Sequence, residues 1–115
     1  MKFSKSLIAA SSTPLILGIL QQRPNYGYDI IQQIKELSGG QLEWAEGMLY
    51  PVLHRLEKEG LIASQWNQSE NGRHRKYYAI TELGKKAIHQ EKNHWMTMHQ
   101  VLLTLWSKNS KTSNG

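Results

Sequence analysis

At 115 residues the chain has room for one domain with a modest core, and a hydrophobic content of 39% leaves apolar surface for a partner chain to complete. A net charge of +5 and a pI near 9.6 favour a polyanionic partner. With no cysteine, disulfides and thiolate metal sites are excluded, which suits a cytoplasmic location.

Met1-Lys2-Phe3-Ser4-Lys5 followed by Leu7 to Ala10 has the outline of a signal peptide. The apolar run is too short, because a secretory core needs roughly 7–15 residues. No stretch reaches the roughly 20 apolar residues of a membrane span, so no membrane partner is expected. Thr13-Pro14 reads as an N-cap followed by proline at the first helical position. Leu15, Ile16, Leu17, Ile19 and Leu20 then form a helix that is apolar almost all round and therefore buried. Residues 4–11 offer an earlier helical stretch, against which the Ser11-Ser12 pair and Pro14 count. Arg23-Pro24-Asn25 ends this helix, and a second runs from about Tyr26 to Leu37, with Tyr26, Ile30, Ile34 and Leu37 on one face. Ser38-Gly39-Gly40 stops it.

A third helix is expected over about Glu46–Lys58. Leu49, Val52, Leu53 and Leu56 follow the i, i+3, i+4, i+7 spacing and point to the core. Gly47, Pro51, His54 and Lys58 fall on the opposite face, with Tyr50 at its shoulder. Pro51 places the helix start close upstream. Strands follow at about Leu61–Asn67 and Arg73–Ile80, joined by a loop that contains the turn-forming pair Asn71-Gly72. Tyr78 and Ile80 face inward, and the basic run Arg73-His74-Arg75-Lys76 lies at the hairpin tip. Thr81 caps a long last helix, with Glu82 in its first turn. Ile88, Trp95 and Leu102 recur every seven residues, as do Glu91, Met98 and Leu105. Such a seam needs a partner helix.

An amphipathic helix followed by a hairpin with a basic tip is the order of a winged helix-turn-helix DNA reader. In that reading Tyr50, His54 and Lys58 face the major groove, slimmed by Gly47 and Pro51. Arg73, His74, Arg75 and Lys76 grip phosphates or enter the minor groove. The competing reading is a solvated hairpin tip on a structural domain. Trp95 lies where a two-fold axis brings it near its symmetry mate. Two facing indoles there either sandwich a planar ring or pack as plain dimer core. Glu91 would favour a cationic ligand, Met98 would adapt to varied shapes, and Leu7 and Ile8 would cover the cavity. Trp44, Trp66 and Trp106 read as packing residues.

No metal site is expected. His89, His94 and His99 are spaced five apart, about 140° round a helix, and cannot converge within one chain. No cofactor and no catalysis are expected either. There is no nucleophile elbow, phosphate loop or dinucleotide fingerprint, and no acid pair is placed for proton transfer.

Several blocks carry a family resemblance: Tyr26-Gly27-Tyr28-Asp29-Ile30, the run Gly47 to Glu57, Gly60-Leu61-Ile62, Arg75-Lys76-Tyr77-Tyr78 and Ile80 to Gly84. Their types and order resemble the PadR family of transcriptional regulators over about residues 13–90. The chain's size and single C-terminal helix are similar to the short subfamily, which includes multidrug-responsive repressors. The resemblance implies a homodimeric repressor with a C-terminal dimerisation helix. It also implies a flat cavity for planar aromatic compounds beside a tryptophan at the place of Trp95. The segment His94 to Lys108 departs from its relatives, so the effector's identity does not carry over.

The expectation is thus an α+β fold, a winged helix-turn-helix with a long C-terminal dimerisation helix. Residues 1–80 form the DNA-binding domain, 81–107 the dimerisation helix and 108–115 a disordered tail. The expected partners are double-stranded DNA with a pseudo-palindromic operator, a second copy of the chain and a small planar aromatic effector. The alternatives are a winged-helix protein-interaction module and a DNA-binding protein that needs no effector.

Overall fold

The computed structural model describes residues 3–68 and 72–113. The order is α1 (Lys5–Gln22), β1 (Asn25–Tyr26), α2 (Gly27–Leu37), α3 (Glu46–Lys58), β2 (Ile62–Gln68), β3 (His74–Ile80) and α4 (Glu82–Ser113). The three strands form one antiparallel sheet in the order β1-β3-β2. The fold is α+β, as expected.

Helix α1 is longer than the Thr13-Pro14 signal suggests. Ser4 is its N-cap, its hydroxyl accepting from the Leu7 N–H at 3.1 Å, and the helix continues through Pro14. A mid-helix proline removes one backbone donor and crowds the carbonyl four residues back. Here the preceding serines hydrogen-bond within the helix. Ser11 Oγ donates to the Leu7 carbonyl at 2.8 Å, and Ser12 Oγ to that of Ala9 at 2.9 Å. Such back-bonding is neutral to mildly unfavourable alone. The burial of Ile16, Leu17, Ile19 and Leu20 outweighs it.

Strand β1 has no counterpart in the sequence reading. Asn25 and Tyr26 pair with Tyr78 and Tyr77 of β3. Tyr26 is therefore extended, and α2 begins one residue later. Ile30 and Ile34 are fully buried, but Leu37 is 69% exposed, because the last turn of α2 runs past the edge of the core. The corner between α1 and α2 is held by Asp29, which accepts from Asn25 Nδ2 at 2.6 Å and from Gln33 Nε2 at 2.9 Å, with Arg23 at 3.7 Å. The hydrogen bond from Gln33, then that from Asn25, holds the Asp29 carboxyl below its usual value against the effect of burial, and Arg23 adds to this. The folded value is thus the lower one. The stabilisation is complete above the ordinary value of 3.8 and is lost as pH falls through the folded value. Asp29→Asn should cost about 1–2 kcal/mol at pH 7. The gap in melting temperature between parent and variant should narrow below pH 4, and a gap that stays constant into acid would remove this role.

Helix α3 has the expected bounds and inward face: Leu49, Leu53 and Leu56 are fully buried and Val52 partly so. Pro51 sits beyond the first turn, and the donor it lacks leaves the Gly47 carbonyl on an exposed face where water can satisfy it. Gly60, at φ +79°, turns the chain into β2, and Leu61 N–H closes the turn on the Leu56 carbonyl at 2.9 Å. The hairpin pairs from Ile62↔Ile80 to Gln68↔His74. Ser69 to Asn71 lie outside the described residues, and with them the Asn-Gly turn. Tyr78 is buried and Ile80 packs partly buried against the core.

Thr81 caps α4 as expected, accepting from Gly84 N–H at 3.0 Å and donating to the Gly60 carbonyl at 2.6 Å. Ile88 belongs to the domain core. Farther on, Lys92 Nζ reaches Gln21 Oε1 of α1 at 2.8 Å. The helix of 32 residues, roughly 48 Å long at 1.5 Å per residue, gives the molecule its 66 Å long axis. It runs to Ser113 instead of stopping at residue 107, so residues 108–113 are helical. No glycine or proline occurs between Lys85 and Ser113 to end it. Residues 114 and 115 lie outside the described residues. No helix of the described residues is long and apolar enough to cross a membrane.

Candidate nucleic-acid interface

The outward face of α3 is built as its periodicity requires. Gly47, Pro51, His54 and Lys58 are exposed, and Tyr50 is half-buried with its ring centroid 6.5 Å from that of His54. Gly27 at the start of α2 sets the position of Tyr50. A Cβ on Gly27 would lie 2.6 Å from the Tyr50 hydroxyl, so only glycine lets the tyrosine lean against α2 in this pose. Beneath it, burial, followed by the charges of Tyr50 and Glu57, pushes the Tyr78 hydroxyl above its usual value, so this residue is a neutral floor.

The wing carries its charge on both faces. His74 and Lys76 alternate with Tyr78 on the side that looks to α3, the side on which Ser64 donates to Glu57. Lys76 Nζ is 5.7 Å from the Tyr78 ring. Arg75 is on the other side, its guanidinium 4.4 Å over the Tyr26 ring, which meets Tyr77 edge-on at 5.3 Å. The short strand β1 thus supplies the aromatic shelf that orients Arg75. Arg73 and His74 are exposed and carry no such support.

Between α3 and the wing runs an open cleft of about 530 Å³. It brings together Tyr50, Arg73, His74, Arg75 and Lys76, five of the residues expected to face nucleic acid. His54 and Lys58 stay outside it, farther along the exposed face of α3. Two cleft residues were missed in the sequence. Tyr28 is 65% exposed and Trp66 is 64% exposed, so Trp66 is a surface residue and not the packing residue expected. The available signal was pairing: counting back from the turn sets Trp66 opposite Lys76, outside the core. Trp44 is buried as expected, whereas Trp106 is 54% exposed on α4.

The expected effector residues fall in two places. Trp95 is 37% exposed, and its Nε1 donates to Glu91 Oε2 at 3.1 Å one turn earlier; Met98 is exposed farther along. Leu7 is exposed, while Ile8 lines an apolar groove with Trp44, Met48 and Val52 on the α3 side of α1. Among the described residues no group of three or more histidines and acids is placed to hold a metal ion.

Comparison with known proteins agrees with this geometry. Residues 16–90 match the transcriptional regulator PadR-like family. The chain is 32% identical over 87 residues to the negative transcriptional regulator PadR of Bacillus subtilis, covering 76% of this chain and 46% of that protein. It therefore spans less than half the length of that relative. Among solved structures, a PadR family transcription regulator from Clostridium difficile is 33% identical, with a TM-score of 0.74, covering 83% of this chain and 97% of that one. A PadR-like transcriptional regulator from Bacillus cereus is 29% identical, with a TM-score of 0.78, covering 88% and 96%. The chain belongs to the PadR-like family of transcriptional regulators, and its fold is the family's winged helix with a long C-terminal helix.

Proposed function

We propose that the protein is a homodimeric repressor that binds a pseudo-palindromic operator in the cytoplasm and is released by a planar aromatic or hydrophobic effector bound near Trp95. The observation that carries the DNA part is the cleft in which Tyr50 of α3 meets Arg73, His74, Arg75 and Lys76 of the wing. A helix with a slim outward face enters the major groove, Tyr50, His54 and Lys58 foremost. The wing cations neutralise phosphates beside it.

The dimer is supported by the far half of α4, where Met96, Met98, Val101, Leu105 and Trp106 are exposed. Apolar side chains on a helix that extends past its own domain are stabilised by a second such helix. The effector reading rests on Trp95 and Glu91, which present an indole face beside a carboxylate on that helix. An effector acts only if it prefers a dimer whose two wings are wrongly spaced for the operator.

Gel shifts with the DNA upstream of the protein's own gene and with random DNA test the first part. Clearly tighter binding to the upstream DNA is expected, and equal weak binding to both would favour a protein-interaction module. Sedimentation gives the oligomeric state. A planar dye should quench tryptophan fluorescence in the parent but not in Trp95→Ala. Quenching that survives the substitution removes the effector site from Trp95.

A further inference from the structure

We propose that the cleft between α3 and the wing holds a single sugar–phosphate strand of the duplex, with the Trp66 indole packed on its deoxyribose rings. This rests on the DNA-binding reading above and adds to it a residue and a mode of contact. Trp66 projects from β2 directly opposite Lys76, on the side of the sheet that looks to α3. It lies two residues back from the final pair Gln68↔His74, about 7 Å from the end of the ladder at 3.4 Å per residue. It is therefore not a tip residue and cannot act as a wedge at the bottom of the minor groove. It stands between the two elements that enter grooves, α3 on one side and the wing tip on the other. What passes between neighbouring grooves of a duplex is one backbone strand, whose outer surface alternates phosphates with the apolar edges of deoxyribose.

The cleft offers both chemistries. Arg73, His74 and Lys76 supply donors and charge, and Tyr28, Tyr50 and Trp66 supply exposed or half-exposed ring faces. An indole carries no charge and releases no counterion, so its share of the affinity comes from apolar area removed from water. Glu46, at the first turn of α3, also lines the cleft and pushes phosphates towards the wing side, where Trp66 stands. Sugars are the same at every base pair, so the contact positions the domain without reading sequence.

The test compares Trp66→Ala, Trp66→Phe and Lys76→Ala in the full chain, on upstream and random duplexes, over a salt series. Trp66→Ala should weaken binding about tenfold, from the buried area of one large side chain. The loss should be equal on both duplexes and leave the slope of log affinity against log salt unchanged. Trp66→Phe should recover most of it. Lys76→Ala should reduce the slope by about 0.9 for each bound copy. Trp66→Ala binding like the parent would overturn the proposal. So would a slope changed as in Lys76→Ala, or a loss confined to the upstream duplex, which would mean a base contact. If the parent itself binds neither duplex, the DNA-binding reading fails instead. Because Trp66 is exposed, circular dichroism of the alanine variant should match the parent, which separates loss of contact from loss of fold.

Discussion

Replacing Arg73, Arg75 and Lys76 together with alanine should flatten the salt dependence of DNA binding by about 2.7 in log–log slope for each bound copy of the domain, at about 0.9 per neutralised phosphate. Between 50 and 200 mM salt that corresponds to a difference of roughly forty-fold per copy in how much affinity is lost. The three cations are not equivalent. Arg75 is held over Tyr26, and Tyr26 against Tyr77, so its guanidinium is ordered before DNA arrives. Arg73 is exposed and must be ordered on binding. Among single variants, Arg75→Ala should therefore reduce affinity most. It should also lower thermal stability slightly, because the cation–π contact, about 0.5–1 kcal/mol at such a site, is lost with it. The triple variant should keep the parent's circular dichroism. Undiminished binding with the parent's salt slope would move the interface away from the wing.

Which parts of this interface were legible in the sequence follows from how local their causes are. The leucines of α3, the Thr81 cap and the basic run are each set by residues within a few positions of one another. They were read with nearly their observed bounds. Strand β1 is two residues long and shows no alternation. It exists because β3 offers an unpaired edge, a cause some fifty residues away in the chain. The shelf under Arg75 was invisible for the same reason. Pro14 was read as a helix start because propensity argues that way, and tertiary burial of the residues after it prevailed. By residue type alone Trp66 reads as a packing residue. Only the register with Lys76 shows that the strand has left the core before reaching it. The apolar seam of α4 ends near residue 107, but a helix stops at a breaker or a cap and none occurs there.

Gly84→Ala should be damaging, because it has the closest backbone clash of the glycines described. A Cβ at this position would lie 2.1 Å from the Leu61 carbonyl oxygen and 2.7 Å from Ile80 Cγ1. The first of these is backbone. It also accepts the Thr81 N–H at 3.0 Å, in the junction where Thr81 Oγ1 bonds both Gly60 and Gly84. Relief therefore requires α4 to move away from the hairpin and strain all three bonds. Overpacking of this kind costs about 1–3 kcal/mol, and more where backbone must give. For a domain of this size that corresponds to a fall in melting temperature of roughly 5–15 °C. Gly18→Ala is the matched control. It adds the same methyl inside α1 where no heavy atom lies within 4 Å, and should stabilise by up to about 1 kcal/mol through helix propensity. The two variants thus differ in sign for one chemical change, and a Gly84→Ala protein that melts with the parent would show the junction to be slack. The functional consequence depends on where the strain is absorbed. The wing and α4 are joined only a few residues from Gly84. A tilt of α4 there changes the distance between two wings carried on paired α4 helices without altering any residue that touches DNA. In the proposed dimer, Gly84→Ala should therefore weaken operator binding at temperatures where the protein is still folded, and leave the salt slope set by Arg73, Arg75 and Lys76 unchanged.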